Sequence, residues 1–223
     1  MNLRVLAASN ILLVLASCAL VALLSIWPAF AQEVAPDALI KRVTADVLAA
    51  VRNDKDIRAG NAAKIDSLVE AKILPHFDFP RATRIAMGIN WRRATPEQQL
   101  RLVREFRTLL VRTYSGALAS YRDQTIEFVP LRARPEDTEV TVRSRVRQPG
   151  TEPIVIAYDM EKSGAEWKVF DIRVAGVSLV ATYRTSFAEE VRRHGIDGLI
   201  ALLSRKNGET SGRAPGRKLM SAA

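Results

Sequence analysis

Thiols are nearly missing from this chain. Its one cysteine, Cys18, lies inside a long apolar N-terminal run, so the rest has no disulfide to staple it and no thiol nucleophile. Histidine is almost as scarce, at two residues. His76 and Asp78 have the spacing of two metal ligands, but nothing nearby supplies a third and fourth, and a histidine in a loop between helices is the plainer reading. His194 falls in the last turn of a predicted helix, where a cation suits the macrodipole. There is no G-x-S-x-G turn, no H-E-x-x-H, no cysteine pair and no phosphate-binding glycine loop. Asp171 is a carboxylate on a largely apolar strand with Arg173 on the same face. Without a second ionisable group across a cleft it reads as part of a cross-strand ion pair on the wetter side of a sheet. The expectation is a chain that is not an enzyme and holds no metal and no cofactor.

What is present begins with a leader. Arg4 precedes an apolar run that ends at Ala29-Phe30-Ala31, the small-x-small pattern of signal peptidase, so residues 1–31 read as a signal peptide cleaved after Ala31. Leu15-Ala16-Ser17-Cys18 has the form of a lipobox, which makes a lipoprotein acylated at Cys18 an alternative. An uncleaved anchor is a third, because the run is long enough to span a bilayer. Removing the leader takes Arg4 alone from the 33 basic residues, leaving 32 against 24 acidic ones and 192 of 223 residues. That length suits one domain, expected over residues 32–204. Arg205, Lys206, Arg213, Arg217 and Lys218 face only Glu209 in residues 205–223, a basic tail rich in Gly, Ser and Pro that reads as disordered. In an exported chain such a tail points to anionic membrane surface before nucleic acid, with a plain solvated tail as the simpler account.

Between leader and tail the period of the apolar residues changes once. Residues 34–53 form a first helix with Leu39, Val43, Val47 and Val51 in one stripe, and Asn61 caps a second carrying Ile65, Leu68, Val69 and Ile73. Asp78 before Phe79-Pro80 starts a short helix that stops at Gly88. Thr95-Pro96-Glu97-Gln98 is a capping box, opening a helix in which Leu100, Val103, Phe106, Leu110, Tyr114, Leu118 and Tyr121 follow the helical period over roughly seven turns. Alternation then takes over. Strands are expected at residues 125–131, 139–147, 153–161 and 167–174, with Val140, Val142, Ser144 and Val146 on one face of the second and Arg143, Arg145 and Arg147 on the other. Short connections make these four an antiparallel meander. Gly176 is a joint, a helix over 179–194 ends at Gly195, and Asp197 caps a last short one through Leu203. The fold class is α+β: a curved four-stranded antiparallel sheet with its arginine face in water and helices over the other.

Residues 73–121, "ILPHFDFPRATRIAMGINWRRATPEQQLRLVREFRTLLVRTYSGALASY", carry Leu74-Pro75 with Asp78, Gly88, Trp91, the Ala94-Thr95-Pro96 helix start, Phe106 and Tyr114. Asp171, Gly176-Val177-Ser178 and Gly195-Ile196-Asp197-Gly198-Leu199 follow in order. As an ordered set these resemble the periplasmic phospholipid-binding proteins of the Mla pathway, the MlaC or toluene-tolerance family. The resemblance implies a periplasmic carrier that shuttles phospholipid between the outer and inner membranes. It implies docking with an outer-membrane lipoprotein complex and with an inner-membrane ABC transporter complex and its periplasmic lipid-binding subunit, and no nucleic acid. The implied site is an apolar cavity between sheet and helices, with phospholipid as cargo. Placed on the predicted elements, that cavity is lined by Leu110, Tyr114 and Leu118 from the long helix, Val142 and Val146, Ile156 and Tyr158, and Phe170, Ile172, Val174 and Val177. The Gly176 joint would set the fourth strand and the helix after it as adjoining walls. A cavity and a packed core have the same residue composition. A binder or enzyme for another small apolar ligand, and an envelope adaptor with a solid interior, therefore stay open as alternatives.

Overall fold

The alternating half of the sequence builds one antiparallel sheet: β1 (Thr125–Val129), β2 (Glu139–Arg147), β3 (Ile154–Ser163), β4 (Glu166–Val174) and β5 (Val177–Ser178), paired in chain order. This computed structural model describes residues 34–122 and 124–209; the predicted leader, residues 1–31, and most of the predicted tail lie outside them. Residues directly opposite one another share a face of a sheet. The register pairs Phe128 with Ser144, Ser144 with Ile156, Ile156 with Val174, and Tyr158 with both Val142 and Ile172, which puts all of these on the helix-covered face. Arg143, Arg145 and Arg147 fall on the other face and are exposed. A bulge between Asp159 and Met160 leaves Phe170 without a partner in register.

The sheet has five strands rather than four. Ala175 and Gly176, at φ 49° and 84°, form a two-residue turn with both dihedrals positive, so the chain doubles back into β5 instead of running straight into a helix. A single 3-10 turn, Ala181–Tyr183, intervenes before the helix begins at Arg184. Ala175 pays for this geometry, because an L side chain is strained in the left-handed region. Replacing it with asparagine, which tolerates that region, is expected to stabilise the protein by about 1 kcal/mol, roughly 2–4 °C in thermal melting followed by circular dichroism. A melting temperature at or below that of the native protein would refute this account of the turn.

Helices cover one face. Here α1 is Pro36–Asn53, α2 the single turn Lys55–Arg58, α3 Ala62–Lys72, α4 Phe79–Met87, α5 Pro96–Tyr114 and α6 Arg184–Glu209. The caps follow the sequence: Asn61 accepts from Lys64 N, Asp78 from Arg81 N at 2.7 Å, and Thr95 and Gln98 exchange both capping-box bonds. The turn α2 stands where a loop is expected, because Asp54 caps it by accepting from Asp56 N and Ile57 N. The long helix is shorter than its apolar run, giving way at Ser115 to a 3-10 segment, Ser115–Ser120. Leu100 is not on its buried stripe. At 100° per residue it lies about 200° from Leu102, and it is 73% exposed while Leu102 and Phe106 are fully buried.

Within α6 the chain breaks at Gly195, whose φ of 70° and ψ of −177° suit glycine alone. The break lets Gly198 approach His194 so closely that a Cβ would stand 2.3 Å from the His194 Cβ. Beyond it the helix runs to Glu209, six residues past Leu203. Residues 205–209, expected as the start of a disordered tail, are therefore helical, held by Asn207 Nδ2 donating to the Glu105 carbonyl at 3.0 Å.

Three groups of buried side chains result. Leu102 and Phe106 of α5 pack on Phe187, Leu199, Ile200 and Leu203 of α6. Val47 and Val51 of α1 pack on Ile65 and Val69 of α3. Leu39 and Ile40 of α1 seat on Val142, Met160, Trp167 and Val169 of the sheet.

Candidate functional site

Between these groups the packing is incomplete. A cavity of about 200 Å³ lies where α3, α4, the second half of α5 and the end of β4 face one another. The segment after α3 sets one wall. Asp78 N donates to the Val169 carbonyl at 2.8 Å and Phe77 bridges to Val169, so the chain lies alongside β4 with Phe77 and Phe79 stacked at 5.7 Å. Val69, Ile73 and Leu74 extend this wall. Opposite stand Leu110, Val111, Tyr114, Ser115 and Leu118, which are half-buried. Phe170, Ile172, Leu179 and Val180 close the sheet side, with Asp171 among them.

Of the residues expected from sequence, Leu110, Tyr114, Leu118, Phe170 and Ile172 are on this wall. Val146, Ile156, Tyr158 and Val174 are not. They share the covered face with Ile172 and are half-buried, forming an apolar strip that continues from the cavity across the sheet. Val142 is 1% exposed, because Leu39 and Ile40 of α1 cover its end of that same face. Val177 is 59% exposed, because the two-residue turn swings it outward at the hairpin end. A carboxylate at Val142 would therefore threaten the fold and one at Val177 would be solvated, so neither would charge the cavity.

Sequence reasoning missed Val69, Ile73, Phe77, Phe79, Val111 and Leu179. Val69 and Ile73 had a signal in the stripe of α3, and Val111 only its place next to Leu110 in α5. Phe77 and Phe79 had none, because their placement depends on the non-local bridge to β4.

Two charged groups hold the sheet side of the cavity in place. The Arg81 guanidinium lies 3.7 Å over the Phe170 ring and is paired with Glu139 at 2.8 Å and with Glu161. Burial pushes the Glu161 carboxyl above its ordinary range, against the pull of Arg81. Asp171 is 7% exposed, and its carboxylate accepts from Ser178 Oγ and from Val180 N at 3.2 Å, fixing β5 and the turn after it. The expected cross-strand ion pair forms instead from Arg173 to Asp159 at 2.7 Å, with Thr141 Oγ1 also donating to Asp159.

Burial raises the Asp171 pKa, and the bonds from Ser178 and Val180 only partly offset it. A carboxyl raised in the folded state favours folding when protonated, and that contribution is lost as pH rises through its folded pKa. The stability difference between Asp171→Asn and the native protein should therefore shift in favour of the variant from acid to neutral buffer. Urea titrations across that range check it, and a pH-independent difference would contradict it. Burial likewise raises the Tyr114 hydroxyl, helped by Tyr183 and Asp171, so it stays protonated.

Among the described residues no group of three or more His, Cys, Asp or Glu is placed to hold a metal ion, and no helix is long and apolar enough to cross a membrane.

A solved structure of a phospholipid-binding protein from Ralstonia solanacearum, in complex with a phospholipid, matches with a TM-score of 0.72 and 45% identity, over 78% of this chain and 98% of that one. The toluene tolerance protein ttg2D of Pseudomonas putida is 26% identical over 163 residues, 73% of this chain and 75% of that protein. The intermembrane phospholipid transport system binding protein MlaC of Haemophilus influenzae is 25% identical over 142 residues, 62% of this chain and 66% of that protein. The family model described as MlaC protein matches residues 41–205, most of the chain, and this protein belongs to the MlaC family.

Proposed function

We propose that this protein is a phospholipid carrier that hides acyl chains in the cavity between sheet and helices and leaves the headgroup outside. The observation that carries the reading is the apolar cavity itself, and the phospholipid held by the Ralstonia relative supports it. Each buried methylene is worth about 0.8 kcal/mol, so a sixteen-carbon tail costs on the order of 12 kcal/mol to expose to water. A two-tailed lipid cannot cross an aqueous compartment unaided at a useful rate, and a dry cavity removes that barrier without any chemical step. The reading assigns no catalysis to the chain.

Family membership and the secretory pattern of residues 1–31 support a periplasmic location, with the domain beginning at residue 32 and including the helix that ends at Glu209. They also support delivery between an outer-membrane lipoprotein complex and an inner-membrane ABC transporter complex with its periplasmic lipid-binding subunit. At about 200 Å³ the cavity is smaller than the roughly 300–1,000 Å³ typical of drug-sized ligands, and a diacyl lipid is larger still. Loading then requires the walls to part, with the strip of Val146, Ile156 and Val174 as the surface onto which the tails extend. Organic extraction of the purified protein and mass spectrometry test the reading: two-chain phospholipid in the extract is expected. Another apolar molecule would replace the assigned cargo, and an empty extract from protein that also takes up no phospholipid would end the proposal.

A further inference from the structure

Three side chains around the cavity carry polar atoms: Tyr114, Ser115 and Asp171. The Asp171 carboxylate is engaged by Ser178 and by the Val180 amide. Tyr114 and Ser115 are consecutive, at the point where α5 tightens into the 3-10 segment. Tyr183 stands next to the Tyr114 hydroxyl and helps keep it protonated, while the Ser115 hydroxyl has no hydrogen-bond partner among the described residues. Across the cavity, Val69, Ile73, Phe77 and Phe79 offer carbon alone. The space is amphipathic, with two hydroxyls on one wall and none on the other.

A half-buried hydroxyl that faces an apolar space gains when a ligand brings it an acceptor. Hydrocarbon tails bring none. The ester carbonyls where tails join glycerol are acceptors without a proton of their own, and a hydroxyl is the donor that suits them. We propose that the Tyr114 and Ser115 hydroxyls form the subsite that holds an ester carbonyl of the bound lipid, fixing how deep the glycerol sits and directing the tails toward Val69, Ile73 and Phe77. The proposal rests on the carrier reading above. A phosphate oxygen is also an acceptor, so the test must separate the two.

Diester phosphatidylcholine and its diether analogue, matched in chain length and headgroup, keep the same phosphate and differ in the carbonyls. Competed for delipidated protein from mixed micelles, the native chain should retain the diester about five- to tenfold over the diether, the factor of one net hydrogen bond. Ser115→Ala and Tyr114→Phe should each move that ratio toward one, and Ser115→Thr, which keeps the hydroxyl, should preserve it. Equal retention of both lipids by native protein overturns the proposal and points to phosphate or tails alone. An unchanged ratio in both hydroxyl-deleted variants overturns it as well. Failure of native protein to retain either lipid removes the carrier reading itself.

Discussion

Leu118→Asp should empty the protein of phospholipid while it still folds. Leu118 lies in the 3-10 segment after α5, half-buried on the cavity wall, and the segment has no fully buried side chain of its own. An aspartate there finds no cation among the residues around the cavity, whose side chains are apolar apart from Tyr114, Ser115 and Asp171. In the empty state water entering from the half-exposed wall can solvate it. With acyl chains in place it is desolvated without a partner, at a cost of several kcal/mol, so binding alone carries the penalty. Retention is expected to fall by at least a hundredfold, measured as phospholipid per protein after purification. Leu118→Met keeps volume and polarity and should stay loaded. Native lipid content in Leu118→Asp would mean that the tails do not occupy this cavity.

How far the sequence anticipated this site depends on which residues act locally. The caps Asn61, Asp78 and Thr95 were legible because each closes a bond within its own turn. The alternation of β2 gave its faces correctly, since period two admits only one assignment. Leu110, Tyr114 and Leu118 were legible as one face of a helix, although the pitch changes at Ser115. Val142 was misplaced because a face of a sheet is longer than the cavity on it, and α1, which covers Val142, is set by contacts more than a hundred residues apart in sequence. Val177 was misplaced for a local reason: Ala175 is an unusual first residue for a turn with two positive φ angles, so Gly176 alone read as a simple joint. Phe77 and Phe79 could not be read, because what aims them is a parallel bridge to a strand formed far along the chain.

Removal of the bound lipid should lower the melting temperature by roughly 8–16 °C. A ligand that binds the folded state alone stabilises it by about 4 kcal/mol when present at a thousand times its dissociation constant. A domain of this size loses about 2–4 °C per kcal/mol. The structure gives a second route to the same scale. Held open and empty, the cavity of about 200 Å³ would cost about 5 kcal/mol at about 24 cal/mol per Å³. The walls should therefore close partly on emptying, with the 3-10 segment Ser115–Ser120 moving first because it buries no side chain completely. Hydrogen exchange should then show the largest gain in protection on reloading in that segment and in the Val177–Val180 stretch, with little change across Leu102 and Phe106, which are already fully buried against α6. Detergent-stripped protein, melted before and after dialysis against phospholipid micelles, gives the comparison. An adaptor with a solid interior would melt at the same temperature in both states, and that result would count directly against a lipid-filled core.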